Sequence, residues 1–320
     1  MATYNGETYL KEQFESLFTQ TRLPDEVVVY DDASGDGTLS LLRDLKMRAP
    51  FPVKIISGTE NVGVNAAFGM ALEACRGDYF FFCDQDDIWE PQKIAKFMPW
   101  FEDHDAVGLV FCDTSQIDPD GNGLRNSLWK QISFDKKRRQ RFERRPLAEL
   151  LRGGNFIYGM ATAFRTESIR TFCPINADPR GMTHDTWFAL HVMATGWKAV
   201  ALDEKLVRYR RHGRQTTKKE DIGEAIGSQA RKAARRVRIN VLIEAMQRIE
   251  HNIATTPPKS FKTSKEEALR QITLKISHLM LREHLRDSRN PFLALRASIS
   301  LGYWKFAKGP VSVLRDLRGL

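Results

Sequence analysis

Residues 26–83 alternate between short apolar runs and segments of helical length, and polar residues follow the runs. The runs at 26–30, 53–57 and 79–83 predict strands, and the segments at 39–47 and 65–75 predict the helices between them. This β-α-β-α-β order is typical of a parallel sheet whose strands are joined by crossover helices. We therefore expect an α/β fold with ligand sites beyond the carboxyl ends of the strands.

Three aspartates stand just after the most apolar of these runs. Tyr79 to Phe82 lead through Cys83 into Asp84-Gln85-Asp86-Asp87. Carboxylates crowded at the end of a buried strand repel one another, and they usually persist because a cation neutralises them. The segment indicates a divalent metal that holds phosphate, although an acidic turn in solvent would have the same sequence.

Three further loops fall at the same predicted edge, at residues 3–6, 31–38 and 61–65. Free backbone N–H groups at helix starts bind phosphate or sugar oxygens, and a carboxylate such as Asp32 can accept hydrogen bonds from a nucleobase or ribose. Each loop alone is equally well explained by turn and helix-capping chemistry. Their convergence with the acidic segment indicates one crevice.

In this order, the motifs of residues 1–213 resemble those of the family 2 glycosyltransferases, which have the GT-A fold. The motifs are Thr3-Tyr4-Asn5-Gly6, Asp31-Asp32-x-Ser34-x-Asp36-Gly37-Thr38, Asn61-x-Gly63, Asp84-Gln85-Asp86-Asp87-x-Trp89, Gly159-Met160-Ala161-Thr162, His184-Asp185-Thr186-Trp187 and Tyr209-Arg210-Arg211-His212-Gly213. The resemblance implies a GT-A type, Rossmann-like, mostly parallel sheet flanked by helices. Within the family, the acidic and His-Asp motifs are most similar to a bacterial rhamnosyltransferase-like branch.

The resemblance also implies roles for individual residues. Asp185 matches the catalytic base, Asp86 and Asp84 match the ligands of Mg²⁺ or Mn²⁺, and Arg211 and His212 match diphosphate-binding positions. The residues implied to bind the nucleotide are Thr3, Tyr4, Asn5, Asp32, Asn61, Gly63 and Asp84.

The implied reaction explains these residue types. Charge builds on a nucleoside diphosphate as it leaves the sugar, and a divalent cation neutralises that charge. An acceptor hydroxyl must lose its proton as it attacks, and a carboxylate acting as general base typically contributes about 10²–10⁴-fold. A single in-line displacement inverts the anomeric configuration. Asp185 also precedes a predicted helix at 186–194, so it is equally suited to helix capping.

Residues 214–320 form a basic tail with 22 lysines and arginines against 10 acidic residues. We expect residues 1–213 to form the catalytic domain, with most of its usual first strand truncated, and residues 214–320 to form a helical extension. Helices are predicted at 222–252, 262–288 and 291–317. The last helix and the basic run 136–141 could bind an anionic membrane surface, or the helices could pack on the catalytic domain or a partner chain.

The sequence therefore predicts an inverting, metal-dependent glycosyltransferase. Its expected partners are a dTDP- or UDP-sugar, with L-rhamnose as a candidate sugar, and a cell-surface glycan or lipid-linked saccharide as acceptor. The four cysteines form no C-x-x-C pair, and the sequence has no apolar run near 18 residues. Both features predict a cytoplasmic location, where the protein could also attach peripherally to the inner face of the membrane. No nucleic-acid partner is expected for such an enzyme. An inactive scaffold or a nucleic-acid-binding protein that uses the basic tail is the alternative.

Overall fold

The structure is a computed structural model that describes residues 1–153, 155–175, 181–213, 215, 228–251 and 265–288. Within these residues, eight strands form two sheets, one of three strands and one of five. The strands are β1 (Ala2–Thr3), β2 (Val27–Asp31), β3 (Val53–Ser57), β4 (Tyr79–Phe81), β5 (Ile88–Trp89), β6 (Val107–Ile117), β7 (Thr162–Arg165) and β8 (Lys198–Arg210).

Helices surround both sheets within the described ranges. They are α1 (Leu10–Phe18), α2 (Thr38–Arg48), α3 (Val64–Ala74), α4 (Lys93–Glu102), α5 (Leu128–Gln131), α6 (Lys136–Arg144), α7 (Pro146–Arg152), α8 (Thr166–Ile169), α9 (His184–Ala194), α10 (Ser228–His251) and α11 (Lys265–Ser288). The predicted helices at 39–47 and 65–75 correspond to α2 and α3 within one residue at each end.

The first sheet has the order β1-β2-β3 and is wholly parallel. β2 is buried along its whole length because helices cover both of its faces. Val27 and Val29 pack with α1 and α2, whereas Val28 and Tyr30 pack with α3. Of the first strand, β1 holds two residues in the ladder, paired with Tyr30 and Asp31.

The second sheet has the order β4-β7-β6-β8-β5 and mixes directions. β6 runs parallel to β8, whereas β7 is antiparallel to both of its neighbours and β5 is antiparallel to β8. The sequence order predicts β4 as a parallel partner of the first strands, but its described hydrogen bonds go to β7. The short β1 offers few backbone groups for pairing, whereas β7 pairs with three successive residues of β4.

A large aromatic core lies on one side of the second sheet. Phe134 and Phe156 stack with ring centroids 4.4 Å apart, and Phe142 meets Phe156 edge to face. α9 is buried on nearly every side within this core, which explains why its sequence is apolar all round. The core thus holds the start of α9 against the sheet.

The described tail helices pack on the same core. Leu242 and Ala245 of α10 and Ile272 and Ala268 of α11 are buried and belong to one apolar cluster with Trp187 of α9. This packing agrees with the expectation that the helices contact the catalytic domain. The predicted membrane-binding helix at 291–317 lies outside the described residues. Within those residues, no helix combines the length and the apolar character needed to cross a bilayer.

Candidate active site

The acidic segment forms the loop between β4 and β5. Asp84 and Asp86 are half-buried there. The pKa of Asp84 is raised to about 7, first by burial and then by the negative charges of Asp86 and Asp185. Asp185 therefore lies close enough to repel Asp84, although the two residues are distant in the chain. The structure brings the proposed metal ligands and the proposed base to one site.

Asp86 contacts the segment that follows β8. Its Oδ2 lies 2.8 Å from Nε2 of His212, and its backbone oxygen accepts a hydrogen bond of 2.9 Å from Nε of Arg210. The ring of His212 also packs against Tyr9, with centroids 4.8 Å apart. The sequence predicts a metal at Asp86 and a diphosphate contact at His212, and the structure joins these two side chains directly.

The donor types at this point are ones that divalent cations accept. Asp86 places a carboxylate oxygen beside the imidazole nitrogen of His212, a pair that suits Mn²⁺ and, through the oxygen, Mg²⁺. Burial and the charges of Asp86 and Asp185 raise the pKa of Asp84, and a cation would favour its ionised form. Within the described ranges, no three histidine, cysteine or acidic side chains already form a metal-ligating group. Mg²⁺ is often held by one or two carboxylates together with substrate phosphates.

Arg211 has the character of an anion-binding residue. Its guanidinium lies 5.4 Å from the ring of Tyr209. Its Nη1 atom is buried and has no hydrogen-bond partner among the residues that the structure describes. A guanidinium nitrogen in such a position readily donates to phosphate oxygens. This environment agrees with the predicted diphosphate contact.

Arg210 is a functional residue that the sequence reasoning missed. Its side chain is 1% exposed, and it donates from Nη1 to the backbone oxygen of Pro119 at 2.9 Å. Nη2 pairs with Glu12 of α1, and its backbone N–H donates to Asp87 at 2.9 Å. Together with the contact to Asp86, these bonds fix the acidic loop against α1 and β8.

Lys93 is a second buried cation behind the acidic loop. Its Nζ donates to the backbone oxygen of Met160 at 2.6 Å and lies 3.3 Å from the ring centroid of Trp89. Burial lowers the pKa of Lys93 to about 8. The pKa of Asp87 is raised well above its usual range, again chiefly by burial. A lysine at the start of an amphipathic helix reads as a surface residue, so no sequence signal reveals this position.

The loop after β1 is fixed to the acidic segment through its backbone. Tyr4 donates its N–H to Oε1 of Gln85 at 2.9 Å and accepts from Nε2 of Gln85 at 3.0 Å. Asn5 adopts a positive φ of 47°, and its Oδ1 accepts from the N–H of Gly35 at 2.8 Å. The Tyr4 side chain is 48% exposed and free to meet a ligand. Thr3 is buried, and its hydroxyl donates to Asp31 at 2.8 Å.

Asp32 connects β2 to the loop before α3. Its two carboxylate oxygens accept hydrogen bonds from the N–H groups of Val62 and Gly63 at 2.7 and 2.9 Å. Gly63 has a φ of 84°, a conformation that favours glycine, and Asn61 is exposed beside it. Each oxygen of Asp32 retains a lone pair for a ligand. The predicted nucleotide residues 32, 61 and 63 thus lie in one contiguous corner.

Asp185 lies in the first turn of α9 and is 5% exposed. Its Oδ1 accepts hydrogen bonds from the hydroxyl of Thr183 and from both the N–H and the hydroxyl of Thr186. Its Oδ2 accepts one bond of 2.8 Å, from the N–H of Gly159. Asp185 is therefore not the N-cap residue that the sequence suggested, because α9 begins two residues earlier than predicted, at His184, with Thr183 as its N-cap. Oδ1 bonds groups of the first turn, and Oδ2 keeps spare acceptor capacity.

His184 fills the space behind Asp185. Its ring stacks on Phe68 at 4.1 Å and meets Phe82 edge to face at 4.7 Å. Burial lowers the pKa of His184 to about 4, so the ring is neutral at physiological pH. Its backbone N–H donates to Oδ1 of Asn65 in α3 at 2.8 Å. A Cβ atom at Gly159 would lie 2.7 Å from Nε2 of His184, so only glycine fits there without a shift.

Comparisons with known proteins agree with this geometry. Residues 1–172 match the family described as glycosyl transferase family 2. An uncharacterized protein of Mycobacterium tuberculosis is 31% identical over 214 residues, which cover 66% of this chain and 57% of that protein. The chain thus spans less than two thirds of this relative.

Solved structures show the same fold. TarS of S. aureus (residues 1–349) in complex with UDP-GlcNAc has a TM-score of 0.57 at 15% identity, with 99% of this chain and 80% of that chain covered. The mannosyltransferase PcManGT of Pyrobaculum calidifontis, in complex with GDP-Man and Mn²⁺, has a TM-score of 0.50 at 18% identity, with 98% and 84% covered. The predicted GT-A type α/β fold is thereby confirmed. Because the family match extends over more than half of the chain, this protein belongs to glycosyl transferase family 2.

Proposed function

We propose that the protein is an inverting, divalent-metal-dependent glycosyltransferase that moves a sugar from a nucleoside diphosphate to a hydroxyl group of a saccharide acceptor. The observation that supports this proposal is the 2.8 Å contact between Asp86 of the acidic loop and His212, beside Asp84, whose pKa is raised by burial and by the charges of Asp86 and Asp185. Family membership supports the same reaction class.

Asp185 would act as the general base through Oδ2. In one displacement, the acceptor oxygen bonds to C1 of the sugar, the bond from C1 to the phosphate oxygen breaks, and the hydroxyl proton passes to Oδ2. Three donors already occupy Oδ1, whereas Oδ2 has the single bond from Gly159. The N–H of Gly159 also fixes the direction in which the remaining lone pair of Oδ2 points.

The diphosphate of the donor would lie between the acidic loop and the segment after β8. Asp86, Asp84 and His212 would hold Mg²⁺ or Mn²⁺, which supplies charge neutralisation to the leaving diphosphate when bound. Arg211 would donate its buried Nη1 to a phosphate oxygen. Asp32 and the exposed face of Tyr4 would contact the nucleoside.

We propose dTDP-L-rhamnose as the first donor to test, because the acidic and His-Asp motifs resemble the rhamnosyltransferase-like branch. The acceptor would be a cell-surface glycan or a lipid-linked saccharide made at the cytoplasmic face of the membrane. Peripheral attachment there rests on the basic residues of the tail. Co-sedimentation with anionic vesicles at low salt tests the attachment, and protein that stays in the supernatant would contradict it.

A donor screen tests the proposed reaction. Thermal shifts and turnover are measured with dTDP-L-rhamnose, UDP-GlcNAc and GDP-mannose, each with Mg²⁺ or Mn²⁺. We expect one donor to stabilise the protein only when the metal is present. The Asp185→Asn variant should keep that shift and lose about 10²–10⁴-fold in turnover.

Asp105→Asn is the matched control, because Asp105 is exposed and remote in sequence from every motif. This variant should behave like the unmodified protein in both measurements. Unchanged turnover in Asp185→Asn would favour an inactive scaffold instead. Steeply salt-dependent binding to duplex DNA, without any response to a donor, would favour the nucleic-acid-binding alternative.

A further inference from the structure

The segment between β6 and the turn at Gly159–Ala161 carries an unusual concentration of positive charge. Residues 125–152, here called the basic insert, contain 10 lysines and arginines against 3 acidic residues. Residues 1–213 as a whole contain 27 basic and 30 acidic residues, so the remainder of that region is clearly acidic. Such segregation creates a local field that attracts anions.

The basic insert is a rigid platform and not a loose loop. Glu149 is 4% exposed and pairs with both Arg138 and Arg141, at 2.8 and 3.2 Å. Arg138 also donates to the backbone oxygen of Gly153 at 2.9 Å and lies 4.9 Å from the ring of Phe156. These contacts join α6 to α7 and to the chain that follows α7. The backbone that carries the exposed cations is therefore held by packing and ion pairs.

Most cations of the basic insert form no ion pair with the described residues. Arg139 pairs with Asp203 at 2.8 Å, in addition to the two arginines that pair with Glu149. The others are exposed and form no ion pair within the described residues: Arg125, Lys130, Lys136, Lys137, Arg144, Arg145 and Arg152. Unneutralised charges on a rigid surface cost stability through mutual repulsion, and an anionic ligand would relieve that repulsion.

The chain that follows the basic insert contacts the proposed base, Asp185. The chain leaves α7 at Arg152 and reaches Gly159, whose N–H donates to Asp185. Beside it, the hydroxyl of Thr186 lies 3.4 Å from Oδ1 of Asn155. Apolar side chains of α7 and α9 share one core. The chain that follows the insert therefore contacts Asp185 and its neighbour Thr186, and α7 packs beside α9.

We propose that the basic insert binds an acceptor saccharide that carries phosphate or carboxylate groups. This inference rests on the proposed function. A polyanionic acceptor would be repelled by Asp84, Asp86 and Asp185, and the adjacent cations would offset that repulsion and orient the chain. The free cations of the insert would hold the charged groups while a hydroxyl reaches Oδ2 of Asp185.

A soluble polyanion fits this surface better than a lipid bilayer does. An interfacial membrane helix presents large apolar side chains beside its cations. The large apolar residues of the insert, including Trp129, Phe134 and Phe142, are instead buried. Leu124, 45% exposed, is the one large apolar side chain exposed near the insert within the described ranges. Recognition would accordingly be electrostatic.

The test measures binding of fluorescent oligomers to the full chain by anisotropy. The probes are poly(glycerol phosphate), the carboxylate polymer hyaluronan and uncharged dextran of similar length. We expect one or both polyanions to bind and dextran not to bind. The triple variant Lys136→Gln, Lys137→Gln and Arg144→Gln should weaken that binding by about tenfold, because three exposed ion contacts are lost.

The matched control neutralises three exposed cations of α2 and β3, through the changes Arg43→Gln, Lys46→Gln and Lys54→Gln. The control should bind the polyanion within about twofold of the unmodified protein. Equal losses in both variants, or no loss in the insert variant, would overturn the proposal. So would an insert variant that loses binding to phosphatidylglycerol vesicles but keeps binding to both polyanions.

A donor thermal shift on the same proteins separates this inference from the proposed function. We expect both triple variants to keep the donor shift, because none of the six residues contacts the acidic loop or α9. A protein that binds polyanions through the insert but responds to no donor would refute the glycosyltransferase reaction and leave an anion-binding surface. A protein that responds to a donor but binds the polyanions equally well in the insert variant would refute the inference alone.

Discussion

At the scale of single residues, the placement of Asp185 depends on a glycine. The N–H of Gly159 donates to Oδ2 of Asp185, and the neutral ring of His184 occupies the space where a Gly159 side chain would lie. Oδ2 is also the oxygen with acceptor capacity to spare. The orientation of the proposed base is therefore set by backbone N–H groups and threonine hydroxyls and not by another charged side chain.

Gly159→Ala should disturb catalysis more than folding. The added Cβ would lie 2.7 Å from Nε2 of His184, so either the turn or the ring must move. A shift of the turn would lengthen the hydrogen bond from the N–H of residue 159 to Asp185. We expect turnover to fall by about 10²-fold, since small misplacements of a catalytic group have effects of this size. The donor thermal shift should persist. Gly123→Ala is the control, because a Cβ there meets no atom within 4 Å and turnover should not change.

The stability of the metal-free protein should depend on the protonation of Asp84. Its pKa in the folded protein is about 7, compared with an ordinary 3.8, so the folded state holds a proton that the unfolded chain has released. Stability should therefore fall as pH rises through the window from about 4 to 7. This loss should amount to about 1–3 kcal/mol across the window, and it should be absent in Asp84→Asn.

The comparison is made by urea denaturation in EDTA between pH 5 and pH 8. The contribution of His184, whose pKa shift does not involve Asp84, is present in both proteins and cancels in the difference. Asp105→Asn should retain the pH dependence of the unmodified protein, because Asp105 is exposed. Parallel pH profiles for the unmodified protein and Asp84→Asn would contradict the assigned pKa.

At the scale of secondary-structure elements, Arg210 joins parts that lie far apart in sequence. From the end of β8 it bonds the acidic loop, the turn at Pro119 and Glu12 of α1. Arg210→Lys keeps the charge but loses the fork of donors that reaches all three. We expect a loss of about 1–3 kcal/mol in the free energy of unfolding, because backbone oxygens at the acidic loop and the turn would lose their donor.

Arg208→Lys is the control for Arg210→Lys on the same strand. Arg208 pairs with Glu90, and its side chain is 47% exposed, so the change should cost less than about 1 kcal/mol. Chemical denaturation of both variants checks the contrast. Equal stability of the two variants would mean that Arg210 does not fasten the acidic loop.

The same strand shows where reasoning from sequence fails. Strand alternation puts Arg208 and Arg210 on one face and predicts equal exposure for both. Arg208 is exposed and Arg210 is buried, because α1 and the turn at residues 118–119 cover the end of β8. Elements with strong local periodicity, such as α2 and α3, were predictable within a residue. The partner of β4 was not, because pairing depends on β7, which is distant in sequence.

The tail helices should contribute to the stability of the catalytic core. Ile272 of α11 is fully buried in the cluster that contains Trp187. Ile272→Ala should reduce the free energy of unfolding by about 2–5 kcal/mol. Met280→Ala in the same helix should have little effect, because Met280 is 56% exposed. Tryptophan fluorescence should report one cooperative transition; a separate early transition for the helices would show that they are not part of the core.

At the scale of the whole molecule, the fold class and the motifs of the candidate site could be predicted from the sequence, whereas the buried residues that support those motifs could not. Asp84, Asp86, Asp185 and His212 stand in short motifs that the sequence displays directly. The buried supports behind them have no local signal, because burial of Lys93 is decided by residues from other elements. The contact of His212 with Asp86 could not be predicted from the sequence either. A histidine among arginines suggests an anion contact, and only the fold reveals that it faces Asp86.

A bound cation should stabilise the molecule as a whole. Asp86 lies between β4 and β5 and His212 follows β8, so a cation held by both would join the acidic loop to the end of β8. Mn²⁺ at about 100 times its dissociation constant should add roughly 2.7 kcal/mol to the free energy of unfolding. Thermal denaturation with and without Mn²⁺ should show the gain in the unmodified protein and in the exposed control His104→Gln. The gain should vanish in Asp86→Asn and shrink in His212→Gln, and a gain that survives both changes would place the cation elsewhere.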